Sequence, residues 1–164
     1  MNYKQLHDLI VAGIIPKIEN HRGLSVFARE RAKFEGWLKV ELVDSLYELF
    51  SDVTPEKDRV DICFRDWALE LKTINTNIRY PNVKNKTRPI TKNTKGVIDD
   101  IEKLKHVKVS NKAVVFIVFP IIADNKNWKI QLDRIESHLT DLLATPFRFR
   151  ENIPGMLYFG VVET

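Results

Sequence analysis

The sequence predicts an α/β domain, a central mixed β-sheet flanked by helices, and three stretches carry that prediction. Ser25–Phe50 repeats apolar residues at helical spacing. Residues 59–74 alternate apolar and polar side chains over two short runs. The run AVVFIVF, Ala113–Phe119, is unbroken and rich in β-branched residues, as a strand covered on both faces would be. At 164 residues the chain suits one domain with a substantial core.

Taken in order, Tyr3–Ile15 places Leu6, Leu9, Ile10 and Ile14 at helical spacing and predicts a short helix ending near Gly13 or Pro16. In Ser25–Phe50 the residues Phe27, Phe34, Leu38, Leu42, Leu46 and Leu49 fall on one stripe of a single long helix, capped by Ser25. Pro55 and the charged Glu56–Arg59 mark the turn out of it, and Leu49–Val53 is the one candidate for an extra strand before Arg59. Strands follow at Arg59–Phe64 and Trp67–Ile74, joined at Arg65-Asp66. Asn75–Thr94 is polar and basic, contains Pro81 and Pro89, and reads as a long loop. A helix over Gly96–Lys108 uses Val97, Ile98, Ile101 and Leu104, and the strand Ala113–Phe119 comes next. Asn125–Trp128 is a turn, Gln131–Leu143 an amphipathic helix, and Met156–Val162 the closing strand.

Composition excludes several classes. No stretch reaches the roughly 20 apolar residues of a membrane-spanning helix. The apolar run Leu9–Ile15 is short, interrupted by Gly13 and without a cleavage pattern, so no secretory signal is expected and the cytoplasm is the default location. Cys63 is the sole cysteine, which rules out an internal disulfide or a thiolate cluster.

Charge is unevenly placed. Between Leu71 and Ile98 there is no acidic residue, but Lys72, Arg79, Lys84, Lys86, Arg88, Lys92 and Lys95 all fall there. The rest of the chain carries more acidic than basic residues, so the positive excess is local. A focused basic stretch suits a polyanion, and Tyr80 beside Arg79 is a candidate for stacking on a base.

The basic stretch begins beside an acidic pair. In the second strand Glu70 and Lys72 point one way, and Leu69 and Leu71 the other. If the two strands pair as a hairpin, Asp61 reaches the same side beside Glu70. Two carboxylates and an ammonium then converge where a sheet wants apolar residues, a costly arrangement unless a divalent cation holds the carboxylates.

Asp61, then Glu70-Leu71-Lys72 on the adjacent strand, after a helix bearing Glu41 in WLKVEL, resembles the restriction-endonuclease-like, or PD-(D/E)xK, superfamily. The later order of helix, buried strand, helix and strand is similar to that fold's common core, so the resemblance covers Ser25 to Val162. Asp124-Asn125-Lys126 matches the tripeptide too, but lies in a polar turn. Val60 stands where the family pattern has proline.

The resemblance implies a metal-dependent endonuclease, with DNA the expected substrate. It implies a magnesium ion, or manganese in its place, held by Asp61 and Glu70, with the Leu71 carbonyl and Glu41 as further ligands. Lys72 would orient or deprotonate the attacking water and stabilise developing charge. Glu35 rivals Glu41 as the helix carboxylate, since both border the apolar stripe. Arg79, Tyr80, Lys84, Lys86, Arg88, Lys92 and Lys95 are the expected nucleic-acid contacts. A double-strand break would call for a homodimer, a partner subunit or two sequential nicks. The competing expectation is an inactive nucleic-acid-binding or assembly module of the same fold. His7, His21, His106 and His138 are scattered without metal-ligand spacing, and Trp37 and Trp67 read as core.

Overall fold

The computed structural model describes residues 1–85 and 89–163. Helix α1 spans Tyr3–Asn20, α2 Arg22–Arg29, α3 Glu35–Tyr47, α4 Ile90–Lys105 and α5 Lys126–Glu136. The strands are β1 Thr54–Lys57, β2 Val60–Phe64, β3 Trp67–Asn75, β4 Asn111–Phe119, β5 Asp141–Arg148 and β6 Pro154–Val162. They form one mixed sheet in the order β1-β2-β3-β4-β6-β5, with β3 and β4 parallel and the other pairs antiparallel. No helix is long and apolar enough to cross a membrane among the described residues.

Each face of the sheet carries a core. Ile62, Phe64, Leu69, Leu71, Val115 and Ile117 pack with residues of α1 and α3. Ala68, Ile74, Val114, Phe116 and Val118 pack with residues of α4 and α5. By alternation Glu70 and Lys72 share the α4 side with Ala68 and Ile74. The strands β2, β3 and β4 stand where the periodicity places them, within two residues at each end.

Other elements differ from expectation for identifiable reasons. Helix α1 opens with a reciprocal cap between Asn2 and Gln5 and runs through Pro16 to Asn20. Pro16 is exposed while Ile14, Ile15 and Ile18 are buried, so packing outweighs the one lost backbone bond.

The single helix expected over Ser25–Phe50 is two, broken at residues 30–34, where Arg31 has φ 55°. Ser25 is no cap. It lies buried inside α2 and its hydroxyl accepts from Glu151 N, while His21 Nδ1 caps α2 by accepting from Leu24 N. Phe27 and Leu49 are exposed, so the buried stripe narrows to Phe34, Leu38, Leu42 and Leu46.

The extra strand is Thr54–Lys57, not Leu49–Val53. It contains Pro55 and sits at the edge of the sheet, where a missing N–H is tolerated. Helix α4 starts at Ile90, which puts Lys92 and Lys95 on a helix and not in the loop. Helix α5 covers Lys126–Glu136, and Leu142 and Leu143 belong instead to the opposite edge strand β5, which has little buried surface and contains Pro146.

Candidate active site

The site is built where β2 leaves β3. Their pairing runs from Phe64↔Trp67 to Ile62↔Leu69 and stops there. Beyond that point β3 keeps β4 on one side and, among the described residues, has no strand on the other. Its outward amides are taken by carboxylates: Asp61 Oδ2 accepts from Leu71 N at 2.8 Å, and Glu35 Oε1 accepts from Thr73 N at 3.1 Å. Within a strand the N–H and C=O of one residue leave on the same side, so the Leu71 carbonyl also points toward this fork.

Asp61 and Glu70 are brought together as the hairpin requires, each within electrostatic reach of the other. Burial pushes Asp61 toward its neutral form, but Lys39 at 2.6 Å and the Leu71 amide outweigh it and hold the carboxyl below its ordinary value. Lys39 also contacts Glu56 of β1.

Glu70 is different. Its side chain is 4% exposed, and burial raises its carboxyl to about 7; Lys103 opposes the shift, while Asp61 and Asp100 add to it. The Lys103 ammonium lies against Glu70 Oε1 and is the one cation in contact with that buried oxygen among the described residues.

Lys72 leans to Asp100 of α4, whose Oδ2 lies 2.8 Å from its ammonium. Burial disfavours the Lys72 charge. Asp100, with Glu35 and Glu70, more than offsets this and raises its pKa. Gly96, one turn before Asp100, lies against the chain: a Cβ there would make ordinary contact with Lys72 Cε at 3.5 Å.

Glu41 is not part of this cluster. Its carboxylate pairs with Lys17 of α1 at 2.6 Å, and the same lysine reaches Asp44. Glu35, at the first turn of α3, is the helix carboxylate that touches β3. Both glutamates lie within the unbroken α3, so the helical wheel alone cannot separate them; which of them meets β3 is decided by how that helix packs. Sequence reasoning also missed Lys39, Asp100 and Lys103, although the spacing of Gly96, Asp100 and Lys103 along α4 sets them on one face.

Of the basic residues, Arg79 is exposed and Tyr80 half-buried, Lys84 pairs with Glu30 at 3.3 Å, Lys92 is exposed on α4, and Lys95 pairs with Asp99 at 2.6 Å. Lys86 and Arg88 lie outside the described residues. Of the second tripeptide match, Asp124 stands in the turn before α5 and Lys126 opens that helix, so neither lies on a strand. The histidines do not converge: His7 contacts Thr145, His21 caps α2, and His138 contacts Glu102. Trp67 is core, and Trp37 packs edge-on against Phe34.

The donor set is all oxygen, which suits a hard cation such as magnesium, and the buried Glu70 beside Asp61 is consistent with one. Among the described residues no three acidic, histidine or cysteine side chains already converge as a ligand group. Water and the Leu71 carbonyl would have to complete the shell. Compared with protein-family models, curated proteins and solved structures, the chain has no match in any of the three.

Proposed function

We propose that this chain is a metal-dependent endonuclease on a restriction-endonuclease-like core, hydrolysing phosphodiester bonds in nucleic acid, with DNA the expected substrate. The observation that carries the reading is the fork at β2 and β3. A carboxylate that caps the Leu71 amide stands beside a second carboxylate that is only 4% exposed, with an ammonium one step along the same strand face. Glu70 is the costly member of that cluster, because its charge has left water and its carboxyl is pushed up toward the neutral form.

Asp61 and Glu70 would hold the cation, with the Leu71 carbonyl and Glu35 nearest to add oxygens. When bound, the cation supplies positive charge to the phosphoryl oxygens and makes water a better nucleophile. Lys72, kept as an ammonium by Asp100, is suited to stabilise charge on the scissile phosphate, not to accept a proton from water. Lys39 and Lys103, which pair with the two carboxylates, would move aside when a cation binds.

That coverage also favours a second reading, an inactive nucleic-acid-binding module, since Asp61 and Glu70 each already have a lysine. Calorimetric titration of magnesium and manganese into wild type and into Asp61→Ala/Glu70→Ala, followed by plasmid cleavage, separates the two. Metal binding that the double variant loses, with metal-dependent cutting, supports the nuclease. No metal binding even with DNA present leaves the module.

A further inference from the structure

A groove crosses the end of the sheet where β3 and β4 finish. It has two adjoining chambers of about 840 and 450 Å³ that share Ile122, Asn125 and Trp128. The larger is lined by the half-buried Tyr80 over the buried rings of Trp128, Phe147 and Tyr158. Carboxamides line the smaller, with Asn77 and Asn127 open to solvent. Arg79, Lys129 and Arg148 stand along the groove against Glu19 and Asp124.

We propose that this groove binds a single-stranded run of nucleic acid leading to the Asp61, Glu70 and Lys72 site, an inference that rests on the nuclease reading and names its substrate class. The accessible Tyr80 ring can stack on any base, the exposed carboxamides Asn77 and Asn127 can pair with base edges, and the cations match phosphates. An apolar peptide would fill the aromatic chamber but leave the amides and cations without partners. Paired bases in a duplex are stacked on one another and cannot enter such chambers unless they are flipped out.

Position supports the same ligand. Asn77 and Ile121 each lie two residues beyond the paired Asn75 and Phe119. Ile78, Ile121, Trp128 and Tyr158 belong to the core layer that also holds Ala68 and Ile74, which flank Glu70 and Lys72 on β3. Five residues of chain span at most about 18 Å, so the groove opens within a few nucleotides of Lys72.

The loop wall is fixed in advance. Arg31, 3% exposed, donates to the carbonyls of Thr76, Ile78 (2.5 Å) and Lys84 (2.6 Å), pinning the segment that carries Asn77, Arg79 and Tyr80. A wall ordered beforehand spares the ligand that cost.

The test is fluorescence anisotropy in EDTA, with a labelled mixed-sequence single strand and a duplex of equal length. Tyr80→Ala should weaken single-strand binding on the order of tenfold while Tyr80→Phe retains it and duplex binding holds. Asn127→Ala, at an exposed position, should weaken it without moving the melting temperature. Single-strand affinity indifferent to both alanine variants, or an equal loss for the duplex, would overturn the proposal. With metal excluded, cutting does not enter the measurement. Groove binding in a protein that never cuts counts against the nuclease alone, and cutting with groove-indifferent binding counts against the groove alone.

Discussion

Lys72 does not pair with Glu70, its neighbour on the same face of β3; it crosses to Asp100 of α4 at 2.8 Å, while Glu70 meets Lys103 of the same helix. Strand acid faces helix base, and strand base faces helix acid. The crossed arrangement lets Lys72 keep its charge whatever the protonation of Glu70. It also gives Glu70 a partner that a cation could displace without disturbing Lys72.

A pH dependence of stability follows from Glu70. Its carboxyl, ordinarily near 4.5, sits at about 7 in the folded protein, so folding is favoured most below the unfolded value and that advantage is lost as pH rises through about 7. In urea denaturation with EDTA, Glu70→Gln should gain on wild type between about pH 5 and pH 8, by at most about 3 kcal/mol. A constant difference across that window would mean that Glu70 ionises normally.

For Lys72 and Asp100, a double-mutant cycle with Lys72→Met and Asp100→Asn should return a coupling of about 1–2 kcal/mol. That exceeds the median exposed pair but falls short of a fully buried one, because both side chains keep some solvent contact. A coupling near zero would show that the pair is incidental.

The two helix glutamates should separate cleanly. Glu35→Gln removes the carboxylate that caps the Thr73 amide and should lower metal-dependent cutting. Glu41→Gln loses only a partly exposed pair with Lys17, worth no more than about 1 kcal/mol, and should cut as wild type does. The reverse ranking in a cleavage assay would return the helix role to Glu41.

Among the basic residues, those without an acidic partner should matter most. Neutralising Arg79 or Lys92 should each reduce the salt slope of nucleic-acid binding by about one, whereas Lys95→Ala should change it less because Asp99 already compensates that charge. Equal slopes for all three variants and wild type would remove these residues from the interface.

The parts of the fold legible in the sequence are those with a strict period under two-sided burial: β2, β3, β4 and the buried stripe of α3. Edge strands β1 and β5 are hidden because β1 is exposed throughout and β5 mostly half-buried or exposed, so neither carries an apolar alternation, and each contains a proline. The break before α3 was hidden because Arg31 is held in its left-handed backbone by carbonyls some 45 or more residues downstream, a contact that no local window contains. At the site, Asp61, Glu70 and Lys72 were visible through strand alternation alone. Glu35, Asp100 and Lys103 depend on which helix face meets β3, and that is decided by packing.

The carboxylates on the Leu71 and Thr73 amides have one more effect. Past the fork, β3 would otherwise present a row of free donors, the template on which a stray strand from another molecule adds. Asp61 and Glu35 occupy alternate donors along that row, so an incoming backbone finds no ladder to join. The same two side chains that make the fork a candidate site thereby guard the protein against edge-to-edge aggregation.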